Sequence, residues 1–189
     1  ANRPKRFWRG VGELMIVQFI PNAYSRIHGQ EWAMFTPQSW VDNLKYPWHW
    51  DNNQFVNNQF AHPYHGSHYF SAARSNGYSF WQSVPWVFGG SLMWELFFEV
   101  WAPSPNDLLM TTLGGVVLGE MLSRVSALTL DNESSGTERV FREIGATLST
   151  HTYAVKATTE PKVTRYAQAS QAPSGAEVGS RCSPRTTAK

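Results

Sequence analysis

Two stretches decide the fold: residues 79–100, SFWQSVPWVFGGSLMWELFFEV, and residues 104–126, SPNDLLMTTLGGVVLGEMLSRVS. Each is apolar all round a helical wheel rather than along one stripe, the pattern of a helix buried in protein or lipid. Ser79 and Gln82 have capping-box spacing, so a helix starts there and runs to Val100, where Pro103 and Pro105 stop it. Ser104 or Asn106 caps the next helix, expected over 107–126. Spanning a bilayer takes about 20 apolar residues. The first run carries Glu95 and Glu99, the second Glu120 and Arg124. Charges at that depth are tolerated only when they face other helices or water. The expected fold is therefore all-α, a compact membrane-associated helical bundle embedded in or docked on a bilayer, with a soluble bundle as the alternative.

Working outward, Trp8, Val11, Leu14, Met15, Gln18 and Phe19 recur at helical spacing and predict a helix over 3–19 that Pro21 ends or bends. Arg3, Lys5, Arg6 and Arg9 crowd its start, which suits a membrane surface or a helix packed on a protein core. Thr36 followed by Pro37 reads as a cap and first helical position, with a short helix to Lys45. The aromatic loop YPWHW at 46–50 suits lipid headgroups or a small core. Asp51 can cap a helix over 53–73 that Pro63 interrupts, closed by Asn76-Gly77. A last amphipathic helix is expected over 137–146, with Glu138, Arg139, Arg142 and Glu143 on its wet side.

The chain divides at 146. All nine Trp fall between Trp8 and Trp101. Residues 147–189 contain no Trp, Phe or Ile and carry six Lys/Arg against two Asp/Glu, so they read as a mostly irregular basic tail. Such a segment buries too little apolar surface to offset its ordering entropy. Pieces such as 152–155 would order only under a partner. A formal net charge of +2 over 189 residues leaves no strongly basic face, which excludes nucleic acid as the expected partner. A single cysteine, Cys182, excludes a disulfide framework and a cysteine-rich zinc module.

Three constellations can carry chemistry. His62, His65 and His68 stand at i,i+3 steps, with Tyr69 four residues after His65. Imidazoles so placed can bind a metal, shuttle protons or ligate a pigment or haem, or be buried histidines satisfied by Asn and carboxylate partners. Glu95 and Glu99 lie one turn apart on a helix with no other charge. Each must be paired, protonated or metal-bound. Arg74, Arg124 and the histidines are the available cations. The readings are a structural ion pair, a general acid or base, or metal ligation by Glu99 with His62, His65 and His68. Thr111, Gly115, Gly119 and Ser123 recur every four residues and form a small-residue stripe for close helix packing. Asp107 opens that helix, and Glu120 can pair with Arg124. No GxSxG, P-loop or dinucleotide fingerprint is present in the sequence.

The order Trp50-Asp51-Asn52, Asn57-Asn58-Gln59-Phe60-Ala61-His62-Pro63-Tyr64-His65-Gly66-Ser67-His68-Tyr69-Phe70, Ala72-Ala73-Arg74-Ser75-Asn76-Gly77, Trp94-Glu95 with Glu99, Pro105-Asn106-Asp107 and Gly114-Gly115 with Gly119-Glu120 resembles the bacterial family catalogued as domain of unknown function 3943. The likeness runs from about Trp8 to Ile144. It implies a cell-envelope protein, membrane-associated on the periplasmic side, often with an outer-membrane portion downstream, and no established reaction. After Ala146 this chain departs from that pattern. A looser three-helix pattern resembles the VanZ-like membrane families. The leading expectation is an accessory or structural module that binds membrane lipid or a membrane protein complex. The alternatives are a hydrolase or metal-dependent enzyme acting on an envelope lipid or glycan, with His62, His65, Glu95, Glu99 and Asp107 as catalytic candidates, and a subunit of a pigment-containing or respiratory complex in which His65 or His68 holds the cofactor. No cofactor is assigned.

Overall fold

The computed structural model describes residues 4–52, 54–129 and 136–149. Among them every regular element is helical, as the apolar runs require. The elements are α1 (Phe7–Ile27), a 3-10 turn (Glu31–Ala33), α2 (Pro37–Lys45), a π-helical turn (Asn57–Ala61) leading into α3 (His62–Ser75), α4 (Phe80–Phe97), α5 (Pro105–Leu109), a second π-helical turn (Met110–Gly114) leading into α6 (Gly115–Thr129), and α7 (Gly136–Ser149). The tail expected from 147 onward lies outside the described residues, apart from the end of α7.

Three starts follow local capping chemistry. Thr36 and Ser79 each complete a reciprocal capping box, with Ser39 and Gln82, and the Ser104 hydroxyl accepts from the Asp107 N–H. The other boundaries differ from expectation. α1 does not end at Pro21 but runs six residues further. Proline removes the N–H that would bond the carbonyl four residues back, that of Val17. His65 from α3 supplies a replacement donor, with Nε2 3.3 Å from the Val17 oxygen. Asp51 caps no helix. Its N–H donates to Asn106 Oδ1 (2.8 Å) and its carbonyl accepts from Asn106 Nδ2 (3.2 Å), which clamps the aromatic loop to the start of α5. At Pro63 the α ladder is interrupted as expected but the helix does not end: the π-helical turn Asn57–Ala61 stands immediately before it, and the chain continues as α3.

α4 ends at Phe97 rather than Val100, so Glu99 lies beyond the helix. The open carbonyls of its last turn are taken by side chains from elsewhere in the chain. Asn43 Nδ2 donates to the carbonyls of Glu95 and Glu99, Trp40 Nε1 to Phe97 (2.7 Å), and Asn22 Nδ2 to Phe98 (2.7 Å).

α3 is the central helix. It crosses α6 so closely that a Cβ added at Gly115 would sit 2.5 Å from the Gly66 Cα. Gly90 of α4 likewise lies against the Tyr69 ring, and Gly119 against Phe70. Around these crossings Leu14, Tyr69, Phe70, Ala72 and Val87 form an apolar cluster. Much of the remaining interior is polar: Gln18, Asn22, Asn43, Ser67, Ser83, Ser91, Glu95 and Asp107 are all buried. Conversely, Trp8, Ile20, Trp81, Leu113, Val117, Met121 and Leu128 are exposed. Among the described residues one continuous helix, Pro105–Thr129, is long and apolar enough to cross a membrane by length and composition.

Candidate functional site

Beside the helix crossings lies a half-open pocket of about 470 Å³ lined by residues that include Pro21, Asp51, Asn57, His62, His65, Trp94, Glu99 and Asp107. His62 and His65 enter from adjacent positions on α3. His62 Nδ1 lies 3.1 Å from the Thr111 hydroxyl, and its Nε2 lies 3.5 Å from Asp107 Oδ1. The second distance is too long for a good hydrogen bond but allows an ion pair once the ring takes a proton. Asp107 itself is held by the Asn106 amide (3.1 Å). Thr111 therefore does more than pack: it sits in the π-helical turn, where the extra residue re-aims side chains, and it steadies the imidazole.

His65 is fixed by a relay. The Tyr69 hydroxyl donates to Gln18 Oε1 (2.7 Å), and Gln18 Nε2 donates to the Gly90 carbonyl (2.8 Å). The Tyr69 oxygen then accepts from His65 Nε2 (3.0 Å), the same nitrogen that reaches the Val17 carbonyl. Two acceptors on one nitrogen assign the Nε2–H tautomer and leave the lone pair on Nδ1. Burial pushes the His65 pKa down to about 4, against the raising effect of the Val17 carbonyl. Burial also lowers His62, partly opposed by Asp51. Both rings are thus neutral near neutral pH.

The carboxyls behave oppositely. Burial raises Glu95 to about 8, although the Ser104 N–H on its Oε2 (2.9 Å) favours the charged form. Glu99 is pushed well above the usual carboxylate range by burial, then by the neighbouring Glu95 and Asp107. A hydrogen bond from Trp94 works the other way. Tyr69 is raised by burial and by Glu95.

Sequence reasoning brought some of these residues together for the right reason and others not. His62, His65, Glu99 and Asp107 share the pocket, and Glu95 stands behind it against Ser104. His68 does not line it: six residues from His62 is about 120° round a helix, and its ring packs edge-on to Tyr64. Arg74 and Arg124 are not partners of Glu95 or Glu99. Both bind Glu120, each at 3.0 Å, at the far end of α3. Among the described residues no three His, Cys, Asp or Glu side chains are grouped as metal ligands, so the proposed set of His62, His65, His68 and Glu99 is not assembled. Asp51, Asn57 and Gln18 were missed as site residues. Gln18 was the legible one, a polar group within an apolar helical pattern.

No curated protein matches this chain, and no solved structure does. The family model described as Domain of unknown function (DUF3943) matches residues 47–150, which include the π-helical turns, His62, His65, Glu95, Glu99 and Asp107. The match covers more than half of the chain, and the protein belongs to that family.

Proposed function

We propose that this domain is a membrane-associated acid–base enzyme of the bacterial envelope, a hydrolase acting on an envelope lipid or glycan. The observation that carries this reading is the convergence on one pocket of His62 and His65, whose pKa values burial lowers, Glu99, whose pKa burial raises, and Asp107. Groups whose environments push their pKa values apart divide naturally into acid and base. With His62 Nδ1–H donating to Thr111, the Nε2 lone pair takes a proton from water. Asp107 stabilises the imidazolium that forms. The water oxygen bonds to the scissile carbon while the bond to the leaving oxygen breaks, and Glu99 gives its proton to that oxygen. The imidazolium proton then returns to Glu99. The envelope placement rests on the family resemblance, and the membrane association on the Pro105–Thr129 helix and the exposed apolar side chains.

The test is incubation of the purified protein with bacterial envelope lipid and glycan extracts, followed by mass spectrometry. Wild type consumes one component. His62→Gln and Glu99→Gln, with helical content retained, each slow its consumption by about a hundredfold. Equal consumption by all three proteins would overturn the proposal.

A second reading, an accessory module holding lipid or a partner membrane protein, is favoured by the exposure of Trp8, Trp81, Leu113 and Val117. It predicts co-purifying lipid or partner and no consumption of any extract component.

A further inference from the structure

Beside the polar pocket lies a second cavity of different chemistry. It is an apolar groove of about 750 Å³ whose walls include Val56, Phe60, Pro63, Met110, Val117 and Met121. The two cavities share a wall residue, Ala61. The π-helical turn Asn57–Ala61 builds both, giving Asn57 to the polar side and Phe60 to the apolar side. The opposite wall of the groove belongs to Pro105–Thr129, the helix apolar enough for a bilayer, and Val117 and Met121 are exposed along it. A molecule lying across Ala61 would thus meet carboxyls and imidazoles at one end and hydrocarbon at the other. The polar lining includes Asp51, Glu99 and Asp107, and among the described residues that form it there is no Lys or Arg. Anionic phosphate there would meet the acidic side chains of Asp51 and Asp107 with no compensating cation. Hydroxyl or amine donors would instead find acceptors.

Building on the acid–base reading of the pocket, we propose that the occupant is an acylated lipid with a phosphate-free, hydrogen-bond-donating head, its head in the pocket and its acyl chain in the Phe60–Val117 groove. The shared wall at Ala61 and the bilayer-compatible helix argue for a lipid over a free glycan.

The full chain is placed in phosphatidylcholine nanodiscs with a monoacylglycerol bearing a diazirine in its acyl chain, irradiated, and mapped by peptide mass spectrometry. The expected result is label concentrated in residues 56–63 and 110–121 and displaced by unlabelled monoacylglycerol. A lysophosphatidate of the same chain labels the groove about tenfold less. Val117→Trp, which fills the groove, lowers labelling by about tenfold, whereas Val125→Trp, exposed on the same helix outside it, does not. The head-group comparison uses wild type alone, so it decides even if Val117→Trp fails to fold. Label spread over α1 and the part of α6 beyond residue 121 without competition, or equal labelling by the phosphate-headed probe, would overturn the inference. Diffuse labelling with His62-dependent turnover would sink this inference and leave the acid–base reading intact. Saturable groove labelling with turnover that ignores His62→Gln would do the reverse.

Discussion

Replacing Gly115 by Ala tests the crossing that positions the site. A methyl group at Gly115 would stand 2.5 Å from the Gly66 Cα and 2.6 Å from its carbonyl carbon. Both obstacles are backbone, and Gly66 directly follows His65 and stands one turn after His62, so relief requires α3 and α6 to separate beside the pocket. Taken alone, Gly→Ala inside a helix stabilises by about 1 kcal/mol. Gly89 in α4 provides that reference, since a methyl there meets nothing within 4 Å. At Gly115 the gain is opposed by overpacking of about 3 kcal/mol, the upper end for a core that cannot relax by side-chain rotation. The net loss is about 2 kcal/mol. For a chain of this length Tm moves by about 2–4 °C per kcal/mol. Thermal melts followed by circular dichroism in one detergent should therefore show Gly89→Ala above wild type by about 3 °C and Gly115→Ala below it by about 6 °C. A Gly115→Ala protein as stable as Gly89→Ala would refute the close crossing and the pocket geometry built on it.

Other perturbations act on the buried titrating groups. Glu95 holds its proton up to about pH 8 when folded, against an ordinary value of 4.5, so its contribution is complete below that ordinary value and is lost as pH rises toward about 8. At about 1.4 kcal/mol per pH unit, Glu95→Gln should gain up to about 4 kcal/mol on wild type between about pH 5 and pH 8, measured by denaturant titration. A parallel pair of pH–stability curves would contradict the protonated state. His65 works in the other direction: its lowered pKa makes stability fall as pH drops from 6.5 toward about 4, and His65→Gln should flatten that acidic limb. Pro21→Ala restores an N–H to α1 that competes for the Val17 carbonyl. Nitrogen-detected NMR of the imidazoles should then show His65 titrating lower still, having lost the acceptor that favours its charged form, and an unchanged titration would break the link between the proline and the histidine.

The helices and three of their starts were legible because they depend on local chemistry: a hydroxyl at Thr36, Ser79 or Ser104 finds its N–H three residues on. The ends were not, because their carbonyls are satisfied from far along the chain. Nothing near Phe97 announces that Asn22, Trp40 and Asn43 close α4 there, which is why Glu99 was placed on the helix. Pro21 was read as an end or a bend for the same reason, since its missing hydrogen bond is replaced by His65, 48 positions after the Val17 carbonyl it reaches. Histidine spacing correctly suggested that His62 and His65 share a face but not that His68 turns away. Arg74, one of the available cations, shows the limit of counting charges: it pairs with Glu120, and Glu95 and Glu99 are left to burial and neutral hydrogen bonds.

The proposed chemistry needs Glu99, with Glu95 behind it, to hold its proton opposite two neutral imidazoles. Infrared difference spectroscopy of the carboxyl carbonyl stretch, at neutral pH in detergent, reads this directly. Wild type should show a buried protonated-carboxyl band that weakens in Glu99→Gln and again in the Glu95→Gln/Glu99→Gln double variant. A wild-type spectrum containing only carboxylate absorption at that pH would contradict it.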